Sequence, residues 1–351
     1  MTVPAPPAPS ETSLEALVSK TLGEGAPENL IELLPVLTQD LAEIDQRIQA
    51  MLRTTYPQLS DAAAYACSHG GKRVRPLLMA AMARALGQST TRPIHSLAAA
   101  FQLIHTATLV HDDVIDHAEL RRGRPSMPRA FGLPSSIVTG DYLFVRAFEL
   151  AADYSRSIIL RCGESCADLV EGEVLQESGR FDLTMGPEHY FRVIERKTAA
   201  IIAAALASVA EISGASTAAV AAAESYGRAL GIAFQIRDDL LDLYGDSDLL
   251  GKPLYTDLRE GNPTLISLEA YGELRGPEKV EFERLFGLRR KQPGDLLRLR
   301  ALTDRTGAAR RVADEATGWA ERAVRSLEPF PASPFRTLLE WLARGAAARS
   351  F

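Results

Sequence analysis

Cysteines, aromatic residues and long apolar runs are all scarce in this chain. Its 351 residues contain three cysteines, Cys67, Cys162 and Cys166. The odd count excludes a disulfide framework and fits a reducing, cytoplasmic setting. Cys162 and Cys166 share a helix face by spacing. With no His or Cys pair beside them, they read as small core residues rather than zinc ligands. The most apolar stretch, Ala199 to Ala210, is bounded by Lys197 and Glu211. A bilayer span needs about 20 apolar residues, so this stretch reads as a buried bundle helix. Residues 1–12 are proline-rich and lack the basic start and apolar core of a secretory signal; they read as a disordered tail. There is no extended basic stripe, and the net charge is −6, which argues against a nucleic-acid surface.

What remains is helix-forming. Alanine, leucine, arginine and glutamate dominate, and apolar residues recur at threes and fours. The fold class expected is all-α, a helical bundle formed as a single domain over residues 13–351. Helices are expected at 13–24, 27–53, 59–69, 77–86, 94–118, 141–153, 156–178, 187–213 and 217–244. A charged, amphipathic remainder follows at 276–290, 293–302, 305–327 and 333–348. Residues 132–140 read as loop, punctuated by Gly132, Pro134 and Gly140. The stretch 246–266, rich in glycine and proline, reads as a loop able to act as a lid.

The chemistry concentrates in FQLIHTATLVHDDVIDHAELRRGRP, residues 101–125. Asp112 and Asp116, four apart on a helix, project from one face, while Asp113 points about 100° away. Clustered oxygen donors with few nitrogen or sulfur donors suit Mg²⁺, which completes its shell with water and substrate phosphate oxygens. Arg121 and Arg122 follow at once, placed to meet an anion. A single such cluster is as easily a solvated helix end. The pattern recurs, however, in GIAFQIRDDLLDLYGD, residues 231–246, where Asp238 and Asp242 are again four apart. Two acidic clusters facing each other are unfavourable unless cations bridge them, and magnesium diphosphate is the natural occupant. A basic turn after Gly70-Gly71 carries Lys72, Arg73 and Arg75; Lys72 and Arg75, three apart at a helix start, would present an ammonium and a guanidinium to one diphosphate, helped by the unpaired N–H groups there.

The segments GGKRVRP, LIHTATLVHDDVIDHAELRRGRP, EGEVLQ, KTA and FQIRDDLLDLYGD stand in the order and approximate spacing of the trans-isoprenyl diphosphate synthases, or polyprenyl synthetases. The chain resembles that family over roughly residues 40–350, most closely its bacterial long-chain branch. The resemblance implies antiparallel helices around a deep central cavity, a homodimer, and head-to-tail condensation of isopentenyl diphosphate with an allylic diphosphate. It places Mg²⁺ ions on Asp112, Asp116 and Asp238, with Asp242 assisting, and the allylic diphosphate also on Arg121, Lys197 and Lys252. Isopentenyl diphosphate falls to Lys72, Arg75, His105 and Arg122. Thr198 and Gln235 become the dipoles facing an allylic cation, since such a cation needs oxygen lone pairs toward it and water kept out. The released diphosphate takes the final proton. His111 and His117 are left structural, and Glu173 and Gln176 match a family motif without an assigned role. Asn262 stands where many relatives carry lysine, and Arg237 where they vary.

Product length is read from the helix before Asp112. Ala107 and Thr108 are small, so no aromatic floor stands there, and a long product of octaprenyl type, for a quinone side chain, is expected. Phe101 is the alternative floor, and with it a geranylgeranyl product. A terpene cyclase would need only one DDxxD motif and no second diphosphate site, and a silent partner subunit would lack some of these aspartates.

Overall fold

The computed structural model describes residues 30–68, 73–246 and 254–348. The expected tail, the helix at 13–24, Gly70, Gly71, Lys72 and Lys252 lie outside the described residues. Among the described residues the regular structure is helical apart from one two-stranded hairpin, in agreement with the all-α expectation. It groups into two compact units. The first comprises residues up to Gly163, Ala205–Ala223 and Pro329–Leu339; the second comprises Glu164–Ala204, Glu224–Glu328 and the residues from Glu340.

In the first unit, α1 (Leu30–Met51), α2 (Pro57–Cys67), α3 (Val74–Ala85) and α4 (Arg92–Ile115) are followed by the hairpin β1 (Leu120–Arg121) and β2 (Arg124–Pro125). Next come α5 (Met127–Phe131) and α6 (Leu133–Ala151). Helix α4 is the core of this unit and packs against α6, α3 and α1. Leu97, Ala98, Ala99, Ala100, Phe101, Leu103, Ile104 and Ala107 are all fully buried, so the helix is apolar on nearly every side, as a central bundle helix must be. Its run of alanines keeps neighbouring helices close. A second buried element ties α1 to this core: Asp40, 2% exposed, accepts from Arg84 Nε at 2.8 Å and pairs with His95 Nε2 at 3.1 Å.

Helix α6 begins at Leu133, eight residues before the expected start at 141, and absorbs the supposed loop. Pro134 sits in its first turn, where a missing N–H costs nothing. Gly140, read as punctuation, is a packing residue: a Cβ there would lie 2.1 Å from His111 Nε2. His111 therefore fills the α4–α6 contact, beside Phe144 and within 3.3 Å of the Ile137 carbonyl oxygen, a structural place as expected.

Helix α7 (Arg156–Gly179) enters the second unit, followed by a 3₁₀ turn and α8 (Gly186–Ile194). A π-helical turn (Glu195–Ala199) then leads into α9 (Ala200–Ile212) and α10 (Thr217–Tyr244). The expected helix 187–213 is thus interrupted by the π turn. Beyond α10 lie α11 (Thr256–Glu260), α12 (Leu265–Glu273), α13 (Gly276–Phe286), α14 (Pro293–Asp304), α15 (Ala308–Ser326) and α16 (Pro334–Ala348). The first two fall at the end of the stretch read as loop or just past it and were not expected. Ile232, Ile236, Leu240 and Leu243, at threes and fours along α10, enter a core shared with Phe282, Phe286, Leu299 and Leu302. Gly227 and Gly231 let α10 approach α9 closely, because a Cβ at either would come within 2.7 Å of the Cα of Ala203 or Ala199.

Candidate active site

The first acidic motif sits where α4 stops. Asp116 caps the helix, with its N–H on the Asp112 carbonyl at 2.8 Å, one turn on from Asp112. His117 turns left-handed (φ 51°) and the Ala118 N–H closes back onto the Asp113 carbonyl at 3.0 Å, so the helix ends three residues before the expected 118. His117 thus has a backbone task, that of a left-handed C-cap. Asp112 and Asp116 remain partly solvent-facing while Asp113 is 2% exposed. Asp113 holds Arg121, whose Nη2 lies 2.5 Å from Asp113 Oδ1 and whose Nε lies at 2.7 Å. The buried carboxylate positions the arginine and leaves the other two to face outward.

Arg122 and Gly123 form the hairpin turn with φ of 53° and 74°, both left-handed as a tight two-residue turn requires. Arg73, at the start of α3, is also left-handed, with φ 46°. A non-glycine residue held this way costs on the order of 1 kcal/mol. Both arginines line one pocket, together with His105, Gln102, Asp113, Arg121, Cys67 and Met127. Arg73 is held by Asp45 at 2.9 Å and by the Cys67 carbonyl at 3.3 Å. Arg75 joins this cluster electrostatically: burial, then the Arg122 charge, lower its pKa to about 10. Its Nε is buried and meets no hydrogen-bond partner among the described residues. His105 keeps some exposed surface, yet the protein packed around it and then Arg75, Arg122, Arg121 and Arg73 hold its pKa well below the usual range. Three guanidinium groups and a neutral imidazole line this pocket, with the Arg75 charge close by, and together they form an anion site. Arg73, not singled out from sequence, belongs to it.

In the second unit the π turn carries Lys197 and Thr198. Such turns occur frequently at functional positions. Gly172 makes room for this one, since a Cβ there would lie 2.8 Å from Lys197 N. Lys197 Nζ lies 2.5 Å from Glu173 Oε2 and donates to Gln176 Oε1 at 3.2 Å. The EGEVLQ segment therefore acts as the holder of Lys197, the role that sequence left open. Thr198 Oγ1 donates to Gln235 Oε1 at 2.9 Å, and Gln235 Nε2 donates to Asp239 Oδ1 at 2.8 Å. Tyr190 Oη donates to the other Asp239 oxygen at 2.6 Å. Asp238 is half-buried, and Asp242 is 3% exposed with Oδ2 receiving the Asp257 N–H at 3.1 Å. Asn262 ties this region together, donating to Asp257 and Glu260 and accepting from Arg180 Nε at 3.1 Å. Arg237 is 4% exposed.

Known proteins match the chain over most of its length. Residues 56–302 match the polyprenyl synthetase family. The chain belongs to that family. It is 34% identical over 324 residues to the octaprenyl diphosphate synthase of Escherichia coli (strain K12), covering 92% of this chain and 99% of that protein. The crystal structure of a polyprenyl synthase from Caulobacter crescentus CB15, complexed with calcium and isoprenyl diphosphate, aligns with a TM-score of 0.85 at 36% identity. That alignment covers 96% of this chain and 98% of the other. The geranylgeranyl pyrophosphate synthetase from Pyrococcus horikoshii Ot3 aligns with a TM-score of 0.83 at 32% identity, covering 92% and 100%. As a polyprenyl synthetase the protein is a prenyltransferase.

Among the described residues, no three His, Cys, Asp or Glu side chains are grouped to hold a metal ion on their own. The donor chemistry nonetheless suits Mg²⁺, which is commonly bound by one or two carboxylates plus waters and substrate phosphates. Electrostatics at the second motif agree. Burial raises the pKa of Asp239, and the charges of Asp238 and Asp242 raise it further against the pull of its Tyr190 and Gln235 hydrogen bonds. A divalent cation would relieve that concentration of negative charge. No helix among the described residues is long and apolar enough to cross a membrane.

Proposed function

We propose that this polyprenyl synthetase condenses isopentenyl diphosphate with an allylic diphosphate of farnesyl type, using Mg²⁺, to an all-trans polyprenyl diphosphate of octaprenyl size for a quinone side chain. The observation that carries the reading is the pocket of Arg73, His105, Arg121 and Arg122 at the foot of the helix bearing Asp112 and Asp116. Its anion chemistry matches a diphosphate nucleophile, and the octaprenyl name of the Escherichia coli relative supports the product class. We assign Asp112, Asp116, Asp238 and Asp242 to the metal, and Arg121, Lys197 and Lys252 to the allylic diphosphate. Lys72, Arg75, His105 and Arg122 are assigned to isopentenyl diphosphate. The metal, when bound, neutralises charge on the departing diphosphate.

The remaining work belongs to the chain's own side chains. The allylic C–O bond breaks with its electron pair leaving on the diphosphate, where Arg121 and Lys197 meet the growing charge. The double bond of isopentenyl diphosphate supplies the electrons of the new C–C bond while the basic pocket holds its diphosphate still. Thr198 and Gln235 face the electron-poor carbon with oxygen. A proton then leaves the adduct to the released diphosphate, which restores a double bond. In this reading residues 13–351 make up a single catalytic domain that works in the cytoplasm.

We also assign a homodimer, because α6 leaves an apolar face uncovered. Leu133, Ile137, Val138, Val145 and Phe148 are 37–55% exposed and fall within an arc of about 140°. Introducing a charge with Phe148→Asp is expected to weaken self-association about 100-fold or more. Light scattering across a dilution series reads this, and an unchanged mass would reject the face as the interface.

The reaction is tested by incubating the purified chain with Mg²⁺, labelled isopentenyl diphosphate and farnesyl diphosphate, and sizing the products. A ladder ending at octaprenyl supports the reading. A product stopping at geranylgeranyl, the size named for the Pyrococcus relative, keeps the chemistry and moves the floor to Phe101 or Ile104. No elongation would point to a cyclase or a silent subunit.

A further inference from the structure

The four side chains Tyr190, Asp239, Gln235 and Thr198 form one unbranched hydrogen-bonded chain, and its polarity is determined by its ends. Tyr190 is 4% exposed and Asp239 is 7% exposed. Tyr190 Oη donates to Asp239 Oδ2 at 2.6 Å, so that end of the chain is a donor. Asp239 Oδ1 accepts from Nε2 of the Gln235 amide at 2.8 Å, which places Oε1 on the other side, toward Thr198. There Oε1 can only accept, so the Thr198 hydroxyl must spend its hydrogen on Gln235. The threonine oxygen is left with lone pairs alone for anything else it meets.

We propose that Tyr190 and Asp239 are positioning residues that lock the orientation of the Gln235 amide and the Thr198 hydroxyl. They present oxygen, and never hydrogen, to the electron-poor allylic carbon. The proposal rests on the assignment of Thr198 and Gln235 to that carbon. Its physical content is a two-state choice. An amide flip at Gln235 changes no shape, but it exchanges Nε2 for Oε1 opposite Thr198 and turns the hydroxyl hydrogen outward. The flipped arrangement meets a developing positive charge with a positive dipole end, which raises the barrier without disturbing either diphosphate site. A residue of α8 far from the aspartate motifs in sequence thereby sets the sign of the field at the reacting centre, through side chains whose contacts are 2.6–2.9 Å long.

The decisive variant is Tyr190→Phe, which keeps the ring and removes the donor. Its kcat is expected to fall roughly 10- to 100-fold, less than the 10²–10³-fold loss typical of deleting an electrostatic stabiliser outright. KM for both diphosphates should stay within about twofold, because ground-state binding is untouched. The lock works through Gln235, so Tyr190→Phe should cost little more when added to Gln235→Leu, a non-additivity that a general packing defect does not produce. Asp239→Asn serves as a second variant, since an amide there can orient Gln235 either way; the same kcat loss at unchanged KM for isopentenyl diphosphate is expected. Full kcat in Tyr190→Phe, or strictly additive losses with Gln235→Leu, would overturn the proposal. A wild-type chain that transfers no prenyl group would instead remove the functional reading beneath it, and that is seen before any variant is made.

Discussion

Asp112→Asn is expected to lower kcat about 10³-fold, equivalent to roughly 4 kcal/mol of transition-state stabilisation. It should also raise the Mg²⁺ concentration for half-maximal activity by about tenfold or more. The substitution preserves size and one oxygen but deletes the charge that would draw a divalent cation to the end of α4. KM for isopentenyl diphosphate should change little, because the basic pocket is built from other side chains. Asp113→Asn is the instructive contrast. Asp113 has 3% of its side chain exposed and pairs with Arg121, itself 29% exposed. Breaking a fully buried pair costs about 3–5 kcal/mol. Solvent around the arginine lowers that, so a loss nearer 2 kcal/mol in stability is expected, with a higher KM for the allylic diphosphate. Steady-state kinetics across a Mg²⁺ titration, with thermal melts of both variants, separates the two roles. If Asp112→Asn kept a third of wild-type kcat, the metal assignment at α4 would be wrong.

The contrast between these adjacent aspartates was legible because helix periodicity is. The spacing of 112, 113 and 116 alone separates one carboxylate from the other two, and burial of Asp113 agrees. The same periodicity places α10 at residues 217–244 with both ends as read from sequence. What sequence did not reveal has specific physical causes. Gly140 and Pro134 look like loop residues by type. Whether a glycine ends a helix or admits a neighbouring side chain depends on His111, which sits 29 residues away on another helix. The π turn at Glu195–Ala199 adds a residue to a helix without altering composition. Its clamps, Glu173 and Gln176 on Lys197, span more than 20 residues. Arg73 and Arg122 were read as members of a basic turn or arginine pair. Their left-handed backbones, which bring them to one pocket, have no residue-type signature such as glycine or asparagine. Tyr190 carries no motif at all, and its bond to Asp239 bridges 49 residues.

Ala107→Phe and Thr108→Phe are expected to shorten the dominant product from octaprenyl to geranylgeranyl size or below, and helix geometry says which should act more directly. At about 100° per residue, Thr108 lies within about 40° of Asp112 and about 6 Å below it, while Phe101 lies within about 20° and about 16 Å below. An aromatic ring at 108 would thus raise the floor by about 10 Å along the line in which a hydrocarbon tail leaves Asp112. Ala107 stands four residues before His111, on the strip that packs against α6 at Gly140. A ring there acts by pushing into the helix contact, and the two variants should differ in stability for that reason. Both sites are tightly enclosed, Ala107 at 0% and Thr108 at 6% exposure. Overpacking a filled site costs about 1–3 kcal/mol, and Ala107→Phe should fall at the upper end with a melting temperature several degrees lower. Rates of the first condensation should stay within about threefold in both, since neither residue touches a diphosphate. Phe101→Ala should act in the opposite sense, lengthening or broadening the ladder. Sizing of labelled products from the three variants decides the matter. A product unchanged in Ala107→Phe removes that position from the ruler, and one unchanged in all three places the wall on a helix other than α4.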